Sequence, residues 1–297
     1  MQQEPIAGVR IGMMFASMTY TTAEACREAA LVAEEVGLDS VWSVEHVLTP
    51  RTLRSPYPYT ADGKLSDLHQ AVLCDPVVWL AFMAGVSTRL RLGTGIMILP
   101  QRHPAYVAKE WATLDRLSGG RAMLGVGIGW LAEEMEAVGV PFAERAPRTD
   151  EMIRAIRSLW ENEFSTFHGR WFDWNEMNCT PRPVEARDIP IVVGGHAPAA
   201  ARRAARLGDG FFLPGQLSRR IGSDLEDLSR LLSVLRDECS AIGRDHREIE
   251  ITVGADRPDH DLLQRLGELG VHRVVVPAPR VEALRRRLEP LAGLLHP

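Results

Sequence analysis

Short apolar runs alternate with helix-like stretches along the whole chain. Residues 9–15 (VRIGMMF), 40–44 (SVWSV), 90–99, 122–128, 190–193, 211–213, 249–253 and 273–276 read as strands. Each is too short and too evenly apolar for a surface helix. Between them lie helix-forming segments. Thr21 or Thr22 can cap the first of these, alanines and Val36 give it a packing face, and Gly37 ends it. Asp75-Pro76 opens a helix running to about residue 88, and 104–117 supplies the next. Residues 133–138, 148–161, 197–207, 225–242, 260–269 and 281–295 follow the same pattern. The two runs at 90–99 and 122–128 flank one helix, as a parallel pair with a crossover does. Both become glycine-rich towards their C-terminal ends, with Gly93 and Gly95 in the first and Gly125, Gly127 and Gly129 in the second. Glycine inside a strand marks a bend, a bulge or a close backbone approach to a ligand.

Eight β–α units in 297 residues predict an α/β fold of the (β/α)8 TIM-barrel type, one domain spanning 1–297. An open sheet would stop at five to seven strands. Two interruptions stand out. Residues 48–73 are rich in proline and polar residues and form a long loop. Residues 164–180 place aromatics on both sides of His168-Gly169, the pattern of a hairpin excursion over the C-terminal face.

Composition narrows the function. The 45% hydrophobic and 25% charged content is that of a soluble globular protein. A net charge of −5 gives no basic footprint, so neither nucleic acid nor an anionic membrane is an expected partner. Cys26, Cys74, Cys179 and Cys239 are widely spaced and make no metal-ligand pattern. Residues 1–8 lack the apolar core of a signal peptide, and no run reaches the roughly 20 apolar residues of a membrane helix. A cytoplasmic location is expected.

In a barrel of this type the chemistry belongs at the C-terminal ends of the strands. Glu45-His46 stands at one such end and pairs a carboxylate with an imidazole, a group that exchanges protons near neutral pH. Consecutive strand residues point to opposite faces, so one of the two at most projects straight inward. His46 is the expected proton carrier, with Glu45 orienting it or touching substrate. Gly194-Gly195-His196-Ala197 follows a strand and enters a helix, a suitable seat for phosphate, although such turns also use glycine with no ligand. His103, before Pro104, suits a helix entry. Trp171 and Trp174 suit packing or the covering of a flat ring.

Three segments, DSVWSVEHV, RLRLGTGIMILPQRHPAYVAKEWATLDRLSGGRAMLGVGIGW and PIVVGGHAPAAARRAARLGDGFF, closely resemble the bacterial luciferase-like monooxygenase superfamily. The likeness covers nearly the whole chain and is nearest to the branch that uses the deazaflavin coenzyme F420. It implies hydride transfer between F420 and a small organic substrate, and a homodimer. It also implies a cis peptide at Gly95–Ile96, forming a bulge under the flavin ring. His46 aligns with the histidine beside the reacting centre; Glu45 departs from the aspartate more often found before it. Gly194, Gly195, His196 and Ala197 align with the phosphate loop, and Trp130 with a wall of the site. Phe15, Thr94, Gly127 and Gly129 complete the cofactor-binding set that the resemblance implies, with no metal. An FMN-dependent monooxygenase of the same fold is the alternative. A non-catalytic flavin-binding protein is a third reading, against which the intact strand count and His46 argue.

Overall fold

Along each predicted strand the side chains divide between two apolar clusters, and the division fixes the architecture. In the computed structural model Ile11, Met13, Val41, Leu92, Leu124, Val193, Phe211, Val253 and Val274 belong to an outer cluster shared with the helices. Met14, Trp42, Met123, Val192, Phe212 and Val275 form a separate inner one. Alternation with a period of two, apolar on both sides, is what a closed parallel sheet wrapped in helices requires. The structure describes residues 8–295 except 59, 61, 66, 185–188 and 218–220.

The order is β1 (Arg10–Met14), α1 (Ala16–Thr19), α2 (Ala23–Val36), β2 (Ser40–Ser43), α3 (Pro76–Val86), β3 (Arg91–Thr94) and β4 (Met97–Ile98). Then come α4 (Pro104–Ser118), β5 (Ala122–Gly127), α5 (Ala132–Ala137), α6 (Arg145–Glu161), β6 (Ser165–His168) and β7 (Asp173–Met177). The chain ends with β8 (Ile191–Gly194), α7 (Pro198–Leu207), β9 (Gly210–Leu217), α8 (Ile221–Ala241), β10 (Glu250–Ala255), α9 (His260–Glu268), β11 (Arg273–Pro277) and α10 (Leu284–Leu295). Strands pair in the order β1, β2, β3, β5, β8, β9, β10, β11, and β11 pairs back with β1, all in parallel. The result is a TIM barrel. The expected third strand is divided: β4 continues β3 beyond a break and also pairs with β5. Gly93 faces Met123 and Met97 faces Val126, so four steps on one strand meet three on the other, a bulge of one residue.

The predicted punctuation lies where expected. Thr22 caps α2 by accepting from Ala25 N, Asp75 caps α3 through Val77 N and Val78 N, and Gly37 ends α2 at φ 91°. One element is additional: Phe15, at φ 61°, starts the single turn α1. The hairpin β6–β7 packs on α6, where Glu151 accepts from the amides of Arg170, Trp171 and Phe172. Its tryptophans are packing residues: Trp174 stacks on Phe167 and donates to Ser165, and Trp171 donates to Glu144.

The N-terminal end of the barrel is closed by charge. Arg273 is fully buried, donates to Asp39 Oδ2 at 2.5 Å, pairs with Glu250, and lies over the Trp42 ring at 5.6 Å. Arg10 reaches Glu250 Oε2 at 2.5 Å. Burial acts to raise the Asp39 and Glu250 carboxyls, but Arg273 and Arg10 outweigh it and hold both below the ordinary carboxylate range. Such groups contribute stability above the unfolded carboxylate pKa, about 4, which is lost as pH falls through their lower folded values. Arg273→Met leaves two half-buried carboxylates short of their main partner. We expect it to cost about 3–5 kcal/mol in urea unfolding and to move the acid-unfolding midpoint upward.

Candidate functional site

At the opposite, C-terminal end of the barrel the bulge between β3 and β4 fixes everything nearby. The Gly95–Ile96 peptide is cis, and the Ile96 side chain packs on the inner cluster with Phe15. A Cβ added at Gly127 would meet Ile96 Cδ1 at 2.5 Å, and one at Gly194 would collide with Ile96 Cγ2. A Cβ at Gly95 would meet the Phe212 ring at 2.7 Å. Gly127 and Gly194 therefore make room for Ile96, and Gly95 makes room for Phe212. Thr94 is also taken up in the wall, fully buried with its hydroxyl donating to Gly125 O at 2.6 Å.

Glu45 and His46, just beyond the end of β2, turn to different partners. The Glu45 carboxylate is buried, accepts from Ile98 N at 2.6 Å, and is gripped by Arg102 through Nε at 3.0 Å and through Nη2. Arg102 also touches Asp75 at 3.2 Å. Burial opposes ionisation of both partners, raising the Glu45 carboxyl and working against the Arg102 charge, which Glu45 more than restores. Three donors on one carboxylate leave no acceptor for a carboxylic proton, so we read the pair as ionised. The expectation that Glu45 orients His46 is corrected: Glu45 braces the backbone just after the bulge. The carboxylate on the imidazole belongs to Glu134 of α5, whose Oε2 stands 2.8 Å from His46 Nδ1 with the glutamate side chain fully buried.

Trp130 lines the same end of the barrel, edge-on to His46 with centroids 5.8 Å apart, and edge-on to Tyr57 at 5.2 Å. Tyr57 comes from the long loop after β2. Sequence reasoning placed no role on Tyr57, Arg102, Glu134 or Arg145. Arg145 opens α6, donates from Nε to Gly129 O at 3.2 Å and lies flat over Phe142 at 3.6 Å. Arg148, one turn on, lies over Phe172, and its Nε is buried with no hydrogen-bond partner among the described residues. The Gln101 amide, in a 3-10 turn against which α6 packs, is in the same condition at both heteroatoms. A basic pair three residues apart at a helix start was the available signal, since cations there oppose the helix dipole.

The turn between β8 and α7 is less open than its glycines suggest. Gly195, at φ 150°, donates its N–H to Phe212 O at 3.0 Å, so that amide serves the barrel. The helix α7 that follows begins at Pro198 with no side-chain cap. Burial lowers the His196 pKa to about 4, so its imidazole is neutral at neutral pH. His103 caps α4 by accepting from Ala105 N. Among the described residues no group of three or more His, Cys, Asp or Glu is arranged to hold a metal ion.

Gly194→Ala should destabilise the protein by about 1–3 kcal/mol through overpacking on Ile96. In an Ile96→Ala background most of that cost should vanish, a coupling readable in a double-mutant cycle of urea unfolding. A second expectation concerns acid. Glu133 accepts from Arg54 N at 2.5 Å and from Ser55 N and Oγ at 3.1 and 2.5 Å. Burial acts to raise its carboxyl, but these bonds outweigh it and hold it down to about 2. This anchor of the loop is complete above the ordinary value of about 4.3 and weakens as pH falls towards 2. Protection factors at residues 54–55, corrected for the intrinsic pH dependence of exchange, should fall over that window in wild type, whereas Glu133→Gln should remove that change in protection.

Comparison with known proteins bears on the whole barrel. The model of the family described as "Luciferase-like monooxygenase" matches residues 9–256. An uncharacterized protein of Mycobacterium tuberculosis is 36% identical over 248 residues, covering 83% of this chain and 82% of that one. The F420-dependent glucose-6-phosphate dehydrogenase of Kineococcus radiotolerans is 33% identical over 228 residues, 75% of this chain and 60% of that protein. In structure, an F420-dependent secondary alcohol dehydrogenase in complex with an F420-acetone adduct superposes with a TM-score of 0.74 at 18% identity. The match spans 96% of this chain and 98% of that one. With most of its length matched by the family model, the chain belongs to the luciferase-like monooxygenase family.

Proposed function

We propose that the protein is an F420-dependent oxidoreductase, moving a hydride between the deazaflavin and a small organic substrate while His46 handles the accompanying proton. The observation that carries the reading is His46 itself. It lies three residues beyond β2, is held at Nδ1 by the buried Glu134, and stands beside Trp130 at the C-terminal end of the barrel. Relatives named as F420-dependent support the cofactor.

The residues present fit such a group. F420 joins a flat ring to an anionic tail, and the chain offers an apolar bulge at Ile96 together with buried polar atoms that have no hydrogen-bond partner among the described residues, Arg148 Nε and the Gln101 amide. Ile96 would support the ring, while Arg145, Arg148 and the turn at 194–197 would hold the anion. When bound, F420 supplies a carbon that gives or takes hydride and reacts poorly with oxygen. His46 takes a proton from a substrate hydroxyl in the oxidising direction and returns it to a carbonyl oxygen in the reducing one. Trp130 and Tyr57 exclude water from one side and fix the face that a substrate presents.

The reading extends to a cytoplasmic homodimer. Val78, Tyr106 and Leu117 are each more than 70% exposed on α3 and α4, an apolar strip of the kind that marks an interface. No described helix is long and apolar enough to cross a membrane.

Fluorescence titration with F420 and with FMN tests the cofactor; F420 should bind at least about tenfold tighter. Tighter FMN binding with oxygen consumption during turnover would favour the monooxygenase. His46→Ala should leave F420 affinity within a few fold and lower turnover by about 10²–10⁴. Sedimentation as a monomer at assay concentration would remove the dimer from the reading.

A further inference from the structure

Glu134 is a buried carboxylate with demands on both oxygens. Its Oε2 faces His46 Nδ1 at 2.8 Å, and its Oε1 accepts from Val47 N at 2.6 Å and Leu48 N at 3.3 Å. Its neighbour Glu133 takes the next stretch of the same loop at Arg54 and Ser55, and Ser55 Oγ in turn accepts from Ala132 N at 3.0 Å. Two adjacent carboxylates of α5 thus hold residues 47–55 down, and one of them also holds the imidazole.

We propose that Glu134 is a positioning residue that sets the tautomer of His46 and ties it to the seating of the 47–48 backbone. The argument is a count of donors and acceptors. A carboxylate only accepts, so a neutral imidazole facing Oε2 must carry its proton on Nδ1. Nε2 then holds the lone pair and is the nitrogen left for substrate. The same anion must accept from two amides at Oε1. No neutral side chain of this size can replace it without loss. A glutamine has one accepting oxygen. Turned towards Val47 and Leu48, it keeps both amide bonds and presents its NH2 to His46 Nδ1, which must then accept, moving the ring proton to Nε2. Turned the other way, it keeps the tautomer but sets an NH2 against two backbone N–H groups. Losing two bonds to keep one is the worse choice, because a buried donor without an acceptor is costly. Glu134→Gln is therefore a tautomer switch that leaves the loop seated. This inference rests on His46 as the proton carrier, but its test does not need the cofactor.

The experiment is a long-range ¹H–¹⁵N spectrum of the imidazoles in cofactor-free protein, recorded at about pH 8.5, roughly two units above the ordinary histidine value. The His46 signals are assigned by their loss in His46→Phe. Wild type should show Nδ1–H, and Glu134→Gln should show Nε2–H. Amide exchange at Val47 and Leu48 in that variant should stay within a few fold of wild type. Glu134→Ala should release both amides by tenfold or more. Turnover of Glu134→Gln with F420 should fall by about a hundredfold or more, with KM changed far less than kcat, as for other histidines placed in the wrong tautomer. Wild type in the Nε2–H form overturns the proposal, and that measurement needs no folded Glu134 variant. So does a Glu134→Gln protein that keeps Nδ1–H with fast exchange at Val47 and Leu48. Failure to bind F420, with the tautomers as expected, would overturn the cofactor reading and leave this one standing.

Discussion

The side chain of Ile96 is the constraint on which the mouth of this barrel depends. A one-residue bulge pushes it onto the inner cluster, and the neighbouring strands yield to it. Gly127 and Gly194 have no room for a Cβ because Ile96 is there, and Gly95 has none because of Phe212. Glycine costs conformational entropy wherever it sits in a strand. Its repeated use at one end of the barrel is offset by what the packing gains, an apolar platform at the C-terminal end of the strands. The other end solves a different problem. There the interior is filled by Arg273 and its carboxylates, which need partners and so demand a fixed register of β1, β2, β10 and β11.

The bulge also decides the fates of two adjacent residues. The chain beyond it offers Ile98 N and Arg102, and Glu45 meets both. His46, on the other side of the backbone, meets α5. Glu45 thus maintains the platform, and Glu134 maintains the histidine above it. Two adjacent residues just beyond one strand meet different partners, Glu45 the segment after the bulge and His46 the helix α5.

Much of this was legible in the sequence because parallel strands announce themselves as short apolar runs between helices. All eight strands lie within a few residues of their predicted places, and the caps at Thr22 and Asp75 and the stop at Gly37 follow from local chemistry. The resemblance to luciferase-like proteins placed the cis peptide at Gly95–Ile96, which local propensity does not encode. What was not legible depends on contacts far apart in the chain. Arg102 reaches Glu45 across 57 residues, and Glu134 reaches His46 across 88. Two glutamates in the first turn of α5 look like ordinary helix-start charges, and only the fold turns them towards the loop. The glycines were visible, but the isoleucine they make room for was not, since nothing local says which strand will bulge. The Gly195 amide was assigned to phosphate on its motif; its bond to Phe212 exists only once β8 lies against β9.

The central claim is that a deazaflavin ring rests on Ile96 with its reacting carbon turned towards His46. A crystal structure of the chain with F420 bound tests it most directly. The account predicts the ring in contact with Ile96, the anionic tail running towards Arg145, Arg148 and the His196–Ala197 turn, and His46 Nε2 facing the reacting carbon across space for one small substrate. A ring seated away from Ile96, or one that places His46 against the tail, would contradict it.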